Sequence, residues 1–136
     1  RDWSSDVCSS DLLERASVEL AVRYASEQEL QTLSELARAK LDPAAEDFAR
    51  QYHDLNNNFH MSVAKLSRNP YLINALQNVL NLLRRDLFTD MRRNSLEKAL
   101  EAHVLVAQAM IDRDLERALR ITTDQIDVVE RRLCIR

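Results

Sequence analysis

The chain has 136 residues, enough for one domain with a real core. It contains no glycine and two prolines, and its formal net charge is -3 with both signs interspersed. That composition argues against sheets joined by tight turns, offers no basic stripe for nucleic acid, and leaves no apolar run near the roughly 20 residues a membrane helix needs. No signal-peptide pattern stands out, so the cytoplasm is the expected compartment. Cys8 and Cys134 do not make a disulfide framework.

Residues 1–12 have no amphipathic period and a composition unlike the rest. They resemble the translation of a common sequencing-library adapter, so the segment is set aside and the domain is expected to span 13–136. An upstream domain is then expected to be missing.

From Leu13 the elements follow in order. Leu13, Ala16, Leu20 and Tyr24 predict the stripe of a first helix. Ser26 with Glu29 is a capping box opening a second, with Leu30, Leu33, Leu36 and Ala37 inward. Asp42-Pro43 predicts the start of a long third helix carrying Phe48, Tyr52, Leu55, Phe59, Val63 and Leu66. Asn69-Pro70 opens a fourth, striped by Leu72, Leu76, Val79, Leu83, Leu87 and Met91. Asn94 with Glu97 predicts a fifth start, with Leu96, Leu100, His103, Ala107 and Met110 in line. Asp114 caps a sixth, with Leu115, Ala118, Thr122, Gln125, Val129 and Leu133 along one side. Six amphipathic helices with short connections predict an all-α antiparallel bundle.

Polar side chains interrupt three of these stripes. Asn56 and His60 lie four apart on the third helix, so they stack beside its apolar face. His103 and Gln125 stand on the fifth and sixth stripes. An unpaired buried polar group costs roughly 1–3 kcal/mol, and four would consume much of a stability of about 5–15 kcal/mol. They therefore pair with one another, hold water, or face a ligand or metal; the plain alternative is a satisfied polar core in a structural dimerisation module.

The stretch Asn56-Asn57-Asn58-Phe59-His60, then Asn69-Pro70, Glu101-Ala102-His103, and Asp114 resemble the FCD domain. This is the effector-binding domain of the FadR branch of GntR-family transcription regulators. Leu13-Glu14, Ala16, Leu20-Ala21 and Ser26-Glu27 resemble the opening of that family. The resemblance implies an all-α bundle of six or seven helices, a homodimer, and a small-molecule effector, usually a carboxylate. It also implies a winged helix-turn-helix that contacts DNA, expected to belong to the missing upstream domain.

The family commonly holds a pocket metal with an Asp-x-x-x-His pair, a later His, and a third His 22 residues on. By position the ligands here are His60 and His103, with Asn56 and Gln125 where the family has Asp and His. Neutral amides are poorer ligands for a transition metal than carboxylate or imidazole. Two routes to an effector follow. In one, His60 and His103 hold zinc or nickel with help from Asn56 and Gln125. In the other, the four groups hydrogen-bond an organic acid directly, each amide both donating and accepting.

Arg84 or Arg85 could pair with an effector carboxylate. His53 is expected near the surface. Asn74, Asn78, Asn81 and Arg85 read as an exposed stripe, and Arg92-Arg93 and Arg131-Arg132 as solvated helix ends. A di-metal oxidase would need Glu three residues before His60 and His103, where Asn57 and Leu100 stand. No nucleophile with a spaced His partner suggests a hydrolase. The expected function is sensing, not catalysis.

Overall fold

The computed structural model describes the backbone of residues 3–87 and 93–134, and the side chains of residues 11–82 and 96–125. The helices are α1 (Trp3–Tyr24), α2 (Glu27–Ala37), α3 (Phe48–Leu66), α4 (Pro70–Leu87), α5 (Arg93–Ile111) and α6 (Leu115–Cys134). No strand occurs among the described residues, so the fold is the expected all-α bundle. α1 packs against α3, α4, α5 and α6, α2 against α3 and α5, and α4 against α3. The largest core cluster joins Val18 and Ala21 of α1, Leu30 and Leu33 of α2, Phe59 and Val63 of α3, Val106 and Met110 of α5, and Ala118 of α6.

Three of the expected starts form as the sequence indicates. The Ser26 hydroxyl accepts from the Glu29 amide at 3.1 Å, and the Glu29 carboxylate accepts from the Ser26 amide at 2.8 Å. The Asn69 side chain accepts from the amides of Tyr71 and Leu72 at 3.0 and 3.2 Å, with Pro70 as first helical residue. Asp114 Oδ1 accepts from the Arg117 amide at 3.1 Å. In each case a short polar side chain satisfies amides that the first turn leaves without carbonyl partners.

The third start differs. α3 begins at Phe48, six residues after Asp42 by number, and Asp42 instead closes a turn by accepting from the Ala44 amide at 2.9 Å. Nothing apolar larger than alanine lies between Pro43 and Phe48 to hold that turn against the bundle. Buried Phe48, packed with Tyr52 and Leu96, sets where the helix starts. α5 runs from Arg93, and the cap expected at Asn94 falls on a side chain outside the described residues. The same is true of Leu83, Arg84, Arg85, Leu87, Met91, Arg92, Arg93, Val129, Arg131, Arg132, Leu133, Cys8 and Cys134.

α1 departs most from expectation. It is helical from Trp3, so residues 3–12 continue the helix, which no proline or glycine interrupts. Its buried face carries Glu14, Ser17, Val18 and Ala21, continued by Ala25 just past its end, one step round from the predicted Leu13, Ala16, Leu20 and Tyr24. Tyr24 is 54% exposed. A helix touching four others is buried along a face of small side chains that let backbones approach. Its larger Leu13 packs at the edge, against the α3–α4 cluster.

With no glycine available, two arginines take the left-handed backbone conformation that ends a helix, Arg68 at φ 63 and Arg113 at φ 55. Each is anchored by its side chain. Arg113 donates to the carbonyls of Val22 and Ala25 at 2.7 and 2.8 Å, tying the α5–α6 turn to the end of α1. Arg68 pairs with Glu29 at 2.8 Å, which holds that carboxyl down at about 2.

Candidate functional site

α1, α3, α4, α5 and α6 enclose a cavity whose lining includes Glu14, Phe59, His60, His103, Thr122 and Gln125. It measures about 20 Å³ as the space open to the centre of a water molecule. That is room for a water or two as the side chains stand.

Phe59 and His60 are neighbours on α3, so Phe59 enters the core while His60 turns toward α1. His60 Nε2 lies 3.2 Å from Asn56 Oδ1, one turn back on the same helix. Its Nδ1 lies 3.4 Å from Glu14 Oε1. Asn56 Oδ1 also receives a long hydrogen bond, 3.5 Å, from the Tyr52 hydroxyl. Both ring nitrogens of His60 thus face protein groups: Nε2 is within hydrogen-bond distance of Asn56 on α3, and Nδ1 closely approaches the Glu14 carboxyl on α1.

His103 is the opposite case. It is 1% exposed, and neither ring nitrogen has a hydrogen-bond partner. It stacks on Phe59 at 4.4 Å between centroids and 17° between planes, and meets His60 edge-on at 5.1 Å and 87°. Burial, and then the field of His60, hold its pKa well below the usual histidine value. The ring is therefore neutral near pH 7, with one N–H and one lone pair, both unmet.

Glu14 is 7% exposed. Burial pushes its carboxyl above the ordinary carboxylate range; His60 opposes that shift and Asp11 adds to it. Burial, with the nearby Glu14 charge, also raises the Tyr52 hydroxyl. Gln125 Nε2 donates to the Ala99 carbonyl at 3.4 Å, linking α6 to α5. The Ser17 and Thr122 hydroxyls, also on the lining, are spent on their own helices, donating to the carbonyls of Leu13 and Ala118 at 2.8 Å each.

The structure therefore brings His60, His103 and Gln125 to one cavity, with Asn56 joined to it through His60. The side chains of Arg84 and Arg85 lie outside the described residues. His53 is a correction: it is 5% exposed, edge-on to Tyr52 at 5.2 Å, because α3 is covered on more than one side. Asn74, Asn78 and Asn81 are exposed, as expected. Glu14 is the site residue that reading by stripes misses. The signal was present: Ser17, Val18, Ala21 and Ala25 stand three, four, seven and eleven residues after it, a small-residue face with an acid at its head.

Does this donor set fit a divalent metal? Among the described residues, no three His, Cys, Asp or Glu side chains are grouped so as to hold one. His103 offers an open lone pair, but His60 is engaged at both nitrogens and Asn56 Oδ1 at its single oxygen. A preformed metal centre is not what these residues make.

In comparison with known families, the sequence model of the FCD domain matches residues 10–127. No curated protein and no solved structure matches the chain.

Proposed function

The chain belongs to the FCD domain family, and on that premise we propose that it is the effector-sensing domain of a GntR-family transcription regulator of the FadR branch. FCD domains are typically C-terminal ligand-sensing domains of GntR-family regulators, and are regulatory rather than enzymatic. The observation that carries the reading here is His103. Two unmet ring nitrogens, sealed in the core and facing a cavity shared with Glu14, His60 and Gln125, are a cost that a ligand removes.

The effector in this reading is a small organic acid. The His103 N–H and, once Gln125 leaves the Ala99 carbonyl, its amide would hydrogen-bond the ligand; the apolar walls of Val18, Val63, Leu76 and Val106 exclude water from it. In this reading the domain works as a homodimer in the cytoplasm and reaches operator DNA through a winged helix-turn-helix. No described helix is long and apolar enough to cross a membrane.

Thermal unfolding against a panel of small organic acids tests this. An acid present at 100 times its dissociation constant stabilises the folded chain by about 2.7 kcal/mol. A panel of acids and divalent metals that leaves the melting temperature unchanged sinks the sensor reading in favour of a structural dimerisation module. The 136-residue chain itself is expected to give no specific mobility shift with DNA at physiological salt.

A further inference from the structure

On the sensing reading just given, we infer that this pocket works without a metal: Glu14 takes over the task of fixing His60, and the two amides at Asn56 and Gln125 remove the donors a cation would need. A neutral imidazole has one lone pair, and an imidazolium has none. If Glu14 is ionised, the Nδ1–H of His60 faces its carboxylate at 3.4 Å; if Glu14 carries its proton, that proton faces the Nδ1 lone pair, and Nε2–H donates to Asn56 Oδ1. Turning the Asn56 amide over makes Nε2 the acceptor from its NH₂. In each arrangement neither His60 nitrogen is left open to a cation.

Counting the remaining donors gives the same answer. Asn56 Oδ1 already faces His60 and the Tyr52 hydroxyl. Gln125 is turned to the Ala99 carbonyl through its nitrogen, which leaves one neutral amide oxygen. His103 contributes one lone pair. One free imidazole and one amide oxygen are a poor set for zinc or nickel, which take three or four nitrogen, sulfur or carboxylate ligands in protein sites. Recruiting Glu14 would strip His60 of its α1 partner inside the core. The Glu14–His60 contact between α1 and α3 thus fixes the ring that a metal would otherwise orient.

The test uses the whole chain, stripped with chelator and titrated calorimetrically with zinc chloride and nickel chloride alone. The unsubstituted chain is expected to bind neither metal with a dissociation constant tighter than about 10 μM, equivalent to about 7 kcal/mol. Asn56→Asp combined with Gln125→His restores a carboxylate and an imidazole, and is expected to bind at least 100-fold tighter. Should that pair of changes fail to fold by circular dichroism, Asn56→Asp alone is expected to gain at least tenfold. Glu14→Gln added to that double variant is expected to leave its metal affinity unchanged within threefold. Binding by the unsubstituted chain tighter than 10 μM overturns the inference. So does a folded Asn56→Asp/Gln125→His variant with no gain, or a tenfold loss on adding Glu14→Gln to it, which would make Glu14 a ligand. The sensing reading falls separately: if metals and acids alike fail to raise the melting temperature, the pocket is metal-independent and also not a sensor.

Discussion

His103→Phe should make the ligand-free domain more stable. The substitution keeps an aromatic ring stacked on Phe59, where the centroids lie 4.4 Å apart, and deletes two buried nitrogens that have no partner. Each unmet polar atom costs about 1–3 kcal/mol, whereas a slightly larger ring costs about 1 kcal/mol or more in overpacking. The adjoining cavity of about 20 Å³ takes up part of the added volume. The balance is a gain of about 1–2 kcal/mol, which for a domain of this size raises the melting temperature by roughly 3–8 °C. The gain should widen in acid. Because burial depresses the folded-state pKa of His103 below its ordinary 6.5, the unfolded chain binds the extra proton first. Its contribution to stability is therefore present above pH 6.5 and is lost as pH falls toward the folded value. Urea unfolding of both proteins at pH 7.5, 6.5 and 5.5 measures each part. A variant destabilised by 1 kcal/mol or more at pH 7.5 would show that the two nitrogens are satisfied in the native chain, and the argument from His103 to a ligand would fail.

Glu14→Gln has the opposite pH signature. The folded-state pKa of Glu14 is raised above its ordinary 4.5, so its protonated form favours folding below that pH and the benefit is lost as pH rises. The variant should gain stability relative to the natural side chain between pH 4.5 and 7.5; a flat difference by urea unfolding refutes the burial argument. Arg113→Ala removes two hydrogen bonds to the end of α1 and should cost about 2 kcal/mol, read as a lower urea midpoint at unchanged slope. Ser26→Ala should cost about 1 kcal/mol through loss of its cap, while Asp42→Ala should cost less than about 0.5 kcal/mol because Asp42 starts no helix. Equal losses for the last two would restore Asp42 as a helix cap.

What the chain's pattern revealed, and what it concealed, divides by the kind of signal. Caps were readable because Ser26, Asn69 and Asp114 act on backbone amides within their own first turn. The faces of α2, α3 and α5 were readable because Leu30, Phe59 and Met110 are large. Period therefore marks which way they point. α1 has few such markers on its buried side. Ser17, Ala21 and Ala25 carry little hydrophobic weight, so the leucines at its edge dominated the pattern and turned the inferred face by one residue. Glu14 went unseen for the same reason: an acid reads as solvent-facing until the helices that bury it are known. The site's chemistry was legible one residue at a time, as Asn56, His60, His103 and Gln125. Its connectivity was not, since whether His60 is engaged at one nitrogen or two depends on which helix stands across from it.

The position of Glu14 has a mechanical consequence. α1 has 22 residues, about 33 Å of rod at 1.5 Å per residue, and Glu14 lies at its midpoint. Beyond its midpoint the helix is pinned to the α5–α6 turn by Arg113. A ligand that draws Glu14 away from His60 therefore acts on a lever held at one end. A tilt of about 5° about the pinned end would carry Glu14, roughly 12 Å away, through about 1 Å at that rise per residue. The backbone has no glycine at which to absorb the movement along the way. A displacement begun in the cavity would thus leave the bundle as a rigid-body motion of α1.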